Sequence, residues 1–161
     1  MSSPSSVHPK QLVARDVMSP DPVCAEASMS LEDFARLLDD DEISGAPVID
    51  GGGAVVAVVS RTDLMRHLGG LGEGLEAGRL FELLMRSDDE RDDAPLGRGV
   101  NVRVEDFMSG DPIVCGPDEP LPAIARRMCE ARVHRVVVVD ADRHPVGIVT
   151  SMDLVRALAD A

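Results

Sequence analysis

Gly147-Ile148-Val149-Thr150-Ser151-Met152-Asp153-Leu154 repeats, 90 residues on, the earlier stretch Ala57-Val58-Val59-Ser60-Arg61-Thr62-Asp63-Leu64. A second echo has the same spacing: Val17-Met18-Ser19-Pro20-Asp21-Pro22 returns as Phe107-Met108-Ser109-Gly110-Asp111-Pro112. A unit that recurs usually cannot bury its core alone and stacks on its copy. Here the unit sets a hydroxyl and a carboxylate just beyond an apolar strand. Two copies imply two related sites, the arrangement of a paired sensor rather than of one catalytic centre.

Working outward, each repeat reads as short strand, helix, strand, strand, helix. Leu31, Phe34, Ala35 and Leu38 fall at helical spacing, as do Leu121, Ile124, Ala125 and Met128. Ser30 with Asp33 resembles a capping box, and Pro120 suits a first helical turn. Val136-Val137-Val138-Val139 lacks polar alternation and must be buried on both faces. Its counterpart is Ala46-Pro47-Val48-Ile49, where Pro47 predicts an edge or a strand start. Repeat one spans residues 14–68 and repeat two 104–161, after a flexible Ser- and Pro-rich lead-in over 1–13. Between them, 69–103 reads as a linker with a short amphipathic helix near 77–86 and an acidic loop.

Composition narrows the function. The 161 residues include three Phe and neither Trp nor Tyr, so the core is aliphatic and stacking platforms for single-stranded nucleic acid are missing. A net charge of −13 argues against nucleic-acid and anionic-membrane partners. A small phosphorylated ligand needs only local cations and backbone N–H groups. Three cysteines without zinc spacing suit a reducing compartment, and Cys24 and Cys115 read as matching apolar positions. With no bilayer-length apolar stretch or signal-peptide core, the cytoplasm is the expected location.

The chemistry concentrates at the strand-to-helix junctions. Gly147 predicts a close backbone approach by a ligand. Thr150 offers a hydroxyl to a phosphate or ribose oxygen, and Asp153 can accept from two vicinal hydroxyls. Free N–H groups at that helix start can meet an anion. The same Thr-x-x-Asp spacing is also that of a plain helix cap. His134 and Arg135, just before the buried strand, add cations to repeat two. The remaining histidines, His8, His67 and His144, form no close cluster with other ligand types, so no metal site is expected; no Ser/His/Asp assembly is visible either.

Together these motifs resemble a tandem pair of cystathionine-β-synthase-type (CBS) domains, the nucleotide-sensing Bateman module. The resemblance covers Ala14 to Ala159. It implies an α/β (α+β) fold of two β-α-β-β-α motifs packed about a pseudo-twofold axis, with two clefts for adenosine compounds. It assigns ribose hydroxyls to Asp153 and Asp63, and ribose or phosphate contacts to Thr150 and Ser60. Adenine contacts fall to Ile113-Val114 and Val23-Cys24, and phosphate contacts to His134 and Arg135. Repeat one departs from the pattern: Ala57 replaces the motif Gly, and Ser44-Gly45 replace His134-Arg135. Unequal sites are therefore expected, with Thr150/Asp153 the better one; Arg61, just after Ser60, reads first as a solvated helix-start residue, with phosphate contact at the other site as the alternative.

The expected function is regulatory and non-catalytic: binding of AMP, ADP, ATP, S-adenosylmethionine or a related ligand, with no required cofactor, and output to an effector protein. A homodimer is implied. The alternative is a ligand-free dimerisation module with vestigial clefts.

Overall fold

The computed structural model describes residues 11–71 and 101–161. The start of the lead-in, the expected helix near 77–86 and most of the linker lie outside the described residues.

In chain order the elements are α1 (Ala14–Val17), β1 (Ser19–Pro20), β2 (Ala25–Glu26), α2 (Leu31–Asp40), β3 (Gly45–Ile49), β4 (Val55–Ser60) and α3 (Arg61–Leu71). A 3₁₀ turn at Val104–Asp106 precedes β5 (Val114–Cys115), α4 (Leu121–Ala131), β6 (Arg135–Val139), β7 (Pro145–Thr150) and α5 (Ser151–Ala159). Ser30 Oγ accepts from Asp33 N at 3.1 Å, which starts α2 and turns Leu31, Phe34, Ala35 and Leu38 inward. Pro120 stands one place earlier than expected, at the N-cap of α4, and Pro122 occupies the first turn. Both prolines lie where a missing N–H costs no intrahelical bond.

Two sheets form, in the orders β1-β7-β6-β5 and β2-β3-β4. β6 is a central strand, buried from Val136 to Val139. β3 is also central, so Pro47 is neither at an edge nor at a strand start. It is accommodated because its nitrogen faces only the short parallel partner β2, whose pairing begins at Ala25↔Val48. In the other half the equivalent Val137 N donates to Ile113 O at 3.2 Å. That bond cannot form at Pro47, and β2 is shorter on that side.

The leading segments change places. Ser19 and Pro20 pair with Ile148 and Gly147, while Ser109 bridges Val58. Ala14 N donates to Glu119 O and Val104 N to Met29 O. Accordingly Ala14 is buried in the second half's core, with Ile124 and Val149, and Val104 and Phe107 in the first half's, with Phe34 and Leu64. The packing units are therefore not the contiguous repeats. A third cluster of Val55, Val137 and Val139 joins the two sheets. Each fully buried side chain of this size stabilises by about 1.5–3 kcal/mol relative to exposure.

Two further sequence expectations need correction. A Cβ at Gly147 would collide with Met18 Sδ and lie 2.8 Å from its Cγ. The close approach at Gly147 is thus made by the exchanged segment's own Met18. Cys115 pairs with Val138 just as Ala25 pairs with Val48, so Cys115 matches Ala25, and Cys24 matches Val114. Burial first, and then the Glu119 carboxylate, pushes the Cys115 thiol from 9.0 up to about 11, against the opposing effect of Arg127.

Gly147→Ala is expected to lower stability by about 1–3 kcal/mol through overpacking, measured by urea unfolding. In a Met18→Ala background the same change should cost much less; equal costs would separate Gly147 from Met18. At pH 8, iodoacetamide should alkylate exposed Cys129 while Cys115 stays protected until unfolding, read by peptide mass mapping. Since the fold favours the neutral Cys115 thiol, its contribution to stability is full below about pH 9 and is lost as pH rises through 11.

Candidate functional site

Thr150 ends β7, and Asp153 stands in the first turn of α5. Asp153 Oδ2 accepts from Thr150 N at 2.7 Å and from Thr150 Oγ1 at 2.8 Å, while Asp153 N donates back to Oγ1 at 3.3 Å. Ser60 and Asp63 repeat this at 2.8, 2.8 and 3.2 Å. Each pair closes a capping box. The second carboxylate oxygen faces an arginine one turn on: Asp153 Oδ1 lies 3.5 Å from Arg156 Nη1, and Asp63 Oδ1 3.3 Å from Arg66 Nη1. Both arginines were visible as Asp-x-x-Arg in each repeat.

The first N–H of each helix is not free, contrary to expectation. Ser151 N donates to His134 O at 2.9 Å, and Arg61 N to Ser44 O at 2.8 Å. These bonds fix the junction against the start of the neighbouring strand. His134 itself is exposed there. Arg135, also exposed, crosses to the first half, where its Nη2 donates to Ser44 Oγ at 2.8 Å. A Cβ at Gly45 would lie 3.2 Å from Arg135 Nη1 and 2.9 Å from Val59 O. Gly45 therefore leaves room for the other half's guanidinium.

The exchange brings each leading segment beside the last strand of the other repeat. Ser19 and Pro20, ahead of Val23-Cys24 in the chain, are paired to the strand that ends in Thr150. The segment from Ser109 to Ile113-Val114 is bridged to the strand that ends in Ser60. Ser19 and Ser109, which sequence reading left unassigned, stand on these segments beside the last strands. The two sides differ in detail. Val114 O accepts from Arg127 Nη1 at 2.6 Å, and Arg127 Nη2 lies 2.5 Å from Glu119 Oε1. Leu37 replaces Arg127 in the first half and offers Cys24 no such donor. Cys24 Sγ instead donates to Pro22 O at 3.3 Å, and burial raises its pKa.

Each junction thus joins a mostly buried carboxylate, a hydroxyl and a helix start, a set suited to holding a vicinal diol. Contrary to the sequence expectation, His144 does belong to a mixed ligand cluster, since it gathers with Asp140 and Asp142 within 4.8 Å. Their bonds are those of a turn. Asp140 Oδ1 accepts from Asp142 N and His144 N, and His144 Nε2 bonds Gly52 O at 3.0 Å across the two halves. Among the described residues no helix is long and apolar enough to cross a membrane.

The chain is 29% identical over 154 residues to the uncharacterized protein MJ1426 of Methanocaldococcus jannaschii, covering 91% of each. It is 31% identical over 133 residues to the chloroplastic CBS domain-containing protein CBSX2 of Arabidopsis thaliana, covering 81% of this chain and 56% of that protein. The structure of CBSX2 in complex with AMP superposes with a TM-score of 0.67 at 29% identity, covering 92% of this chain and 96% of that one. The CBS domain family matches residues 14–70 and 104–160. With both repeats matched and the paired fold in place, the chain belongs to the CBS domain family as a tandem CBS pair.

Proposed function

We propose that this protein is a regulatory binding module for an adenosine ligand, AMP or a close relative. The observation that carries the reading is the placement of each Ser/Thr–Asp junction beside the exchanged Met-Ser segment of the other repeat. A ligand seated there touches both halves at once and shifts the balance between their arrangements by its differential affinity. Support for the ligand class comes from CBSX2, whose structure holds AMP. The Thr150/Asp153 side is the stronger candidate, with Val23-Cys24 on its exchanged segment. Ser60/Asp63 with Ile113-Val114 is the second. Arg135 supplies a cation near the pseudo-twofold axis with His134 beside it in sequence, and Arg135 would leave Ser44 for a phosphate. The module performs no chemistry, and its output passes to an effector protein. Three free cysteines suit work in the cytoplasm.

A second reading, a dimerisation module without ligand, has its own supporting observation. Met152, Val155 and Leu158 are 56%, 53% and 77% exposed along one face of α5. Such a stripe suits burial against a second copy, and a homodimer through this face is compatible with either reading.

Isothermal titration with AMP, ADP, ATP and S-adenosylmethionine is expected to give saturable binding of at least one. Asp153→Asn should weaken it at least about tenfold, the scale of a lost charged hydrogen bond, and Asp63→Asn should weaken it less. No binding of any of the four by folded protein would leave the dimerisation reading. Val155→Glu with Leu158→Glu should convert the dimer to monomer by light scattering; an unchanged mass would remove α5 as the interface.

A further inference from the structure

The two halves differ where an exchanged segment meets a closing helix. In the first half, Phe107 packs on Phe34 with ring centroids 5.8 Å apart and on His67 at 5.5 Å. At the equivalent positions of the second half stand Val17 and Ala157. Two rings are thus missing, and an open cavity of about 450 Å³, lined by exposed and half-buried residues, lies there between α1 and α5. Val17, Ala157 and Leu12 form its apolar part. Leu12 is 39% exposed beside it.

Its polar part is lopsided. Asp16, Asp153 and Asp160 line the cavity, and Arg156 is the cation among the described lining residues. Arg156 already faces Asp153 at 3.5 Å. Asp16 and Asp160 have no cation opposite them among the described residues, and the chain's net charge of −13 adds to the negative field. Ligand pockets run from about 300 Å³ upward. The space therefore admits a ring, and its charge selects against an anion.

We infer that this cavity is a binding site for a small flat organic cation. The ring takes the place that Phe107 and His67 fill in the first half, and a protonated amine or amidinium faces Asp16 and Asp160. The site shares Asp153 and its ion-pair partner Arg156 with the proposed nucleoside cleft, and the inference does not depend on that reading.

Benzamidine is the probe, titrated into the full chain with methyl-labelled Val, Leu and Ala and followed by NMR. Saturable shifts are expected at Val17, Leu12 and Ala157, with Leu64 and Leu68 of the first half unmoved, and none with benzoate. Asp16→Asn should weaken benzamidine roughly two- to fivefold, the scale of an exposed ion pair. Val17→Phe with Ala157→His, which copies the first half, should abolish the shifts; Ala157→Leu serves if that pair fails to fold. Absence of saturable shifts, equal binding of benzoate, or unchanged binding by a folded, filled variant would overturn the site. AMP titrated into the same samples separates the two readings: AMP binding without benzamidine overturns only this inference, and benzamidine binding without AMP only the nucleoside one.

Discussion

The fold depends on one reciprocal constraint: each repeat gives its leading segment to the other. Ser19 pairs with Ile148 and Ser109 with Val58, and the side chains just before these bridges complete the opposite core. Ala14 is buried among Ile124 and Val149; Val104 and Phe107 are buried among Phe34, Leu64 and Leu68. Neither contiguous repeat therefore owns a whole core. The turns add to the tie, since Val55 N donates to Arg143 O and His144 Nε2 bonds Gly52 O. A change at one exchanged segment is felt in both halves, the property a two-state sensor requires.

Near-twofold symmetry makes the departures from it informative. The β3–β4 and β6–β7 hairpins share one register, yet Pro47 replaces a ladder donor and Ala57 replaces Gly147. Ala57 tolerates its Cβ, whereas Gly147 has Met18 against it. The sharpest departure lies at the axis. Gly45 stands where the other half has Arg135, and it makes the space into which that Arg135 reaches toward Ser44. One arginine thus occupies ground belonging to both halves, where symmetric arginines would repel.

Much of this was legible in the repeat itself. Apolar spacing located α2 and α4, and the four-valine run correctly demanded a strand covered on both faces. What the pattern could not carry was partnership across the chain. Nothing in Met18 or Gly147 alone says that one occupies the other's missing side chain, so the glycine read as a ligand approach. Pro47 followed a local rule for prolines, but the decisive fact was where the neighbouring strand begins, one position later in β2 than in β5. The matching of Cys24 with Cys115 was off by one residue; only the pairing of Ala25 with Val48 and Cys115 with Val138 fixes it. His144 looked solitary because its neighbours Asp140 and Asp142 converge only once the turn closes. At the junctions, the capping and binding readings of Thr-x-x-Asp could not be separated by spacing.

Geometry makes those two readings compatible. In each junction one carboxylate oxygen holds the helix start through two short bonds, and the other faces an arginine that is 73% exposed. An ion pair with so exposed a partner contributes about 0–1 kcal/mol. Replacing that arginine by two hydroxyl donors therefore sacrifices little, and it leaves the cap intact. The carboxylate is mostly buried and already oriented by the cap, so a bound diol would not bear the cost of ordering it. Under the proposed reading, capping is the means by which the fold prepares the acceptor. The same Asp serves the helix with one oxygen and presents the other, at the point where the exchanged segment of the opposite repeat arrives.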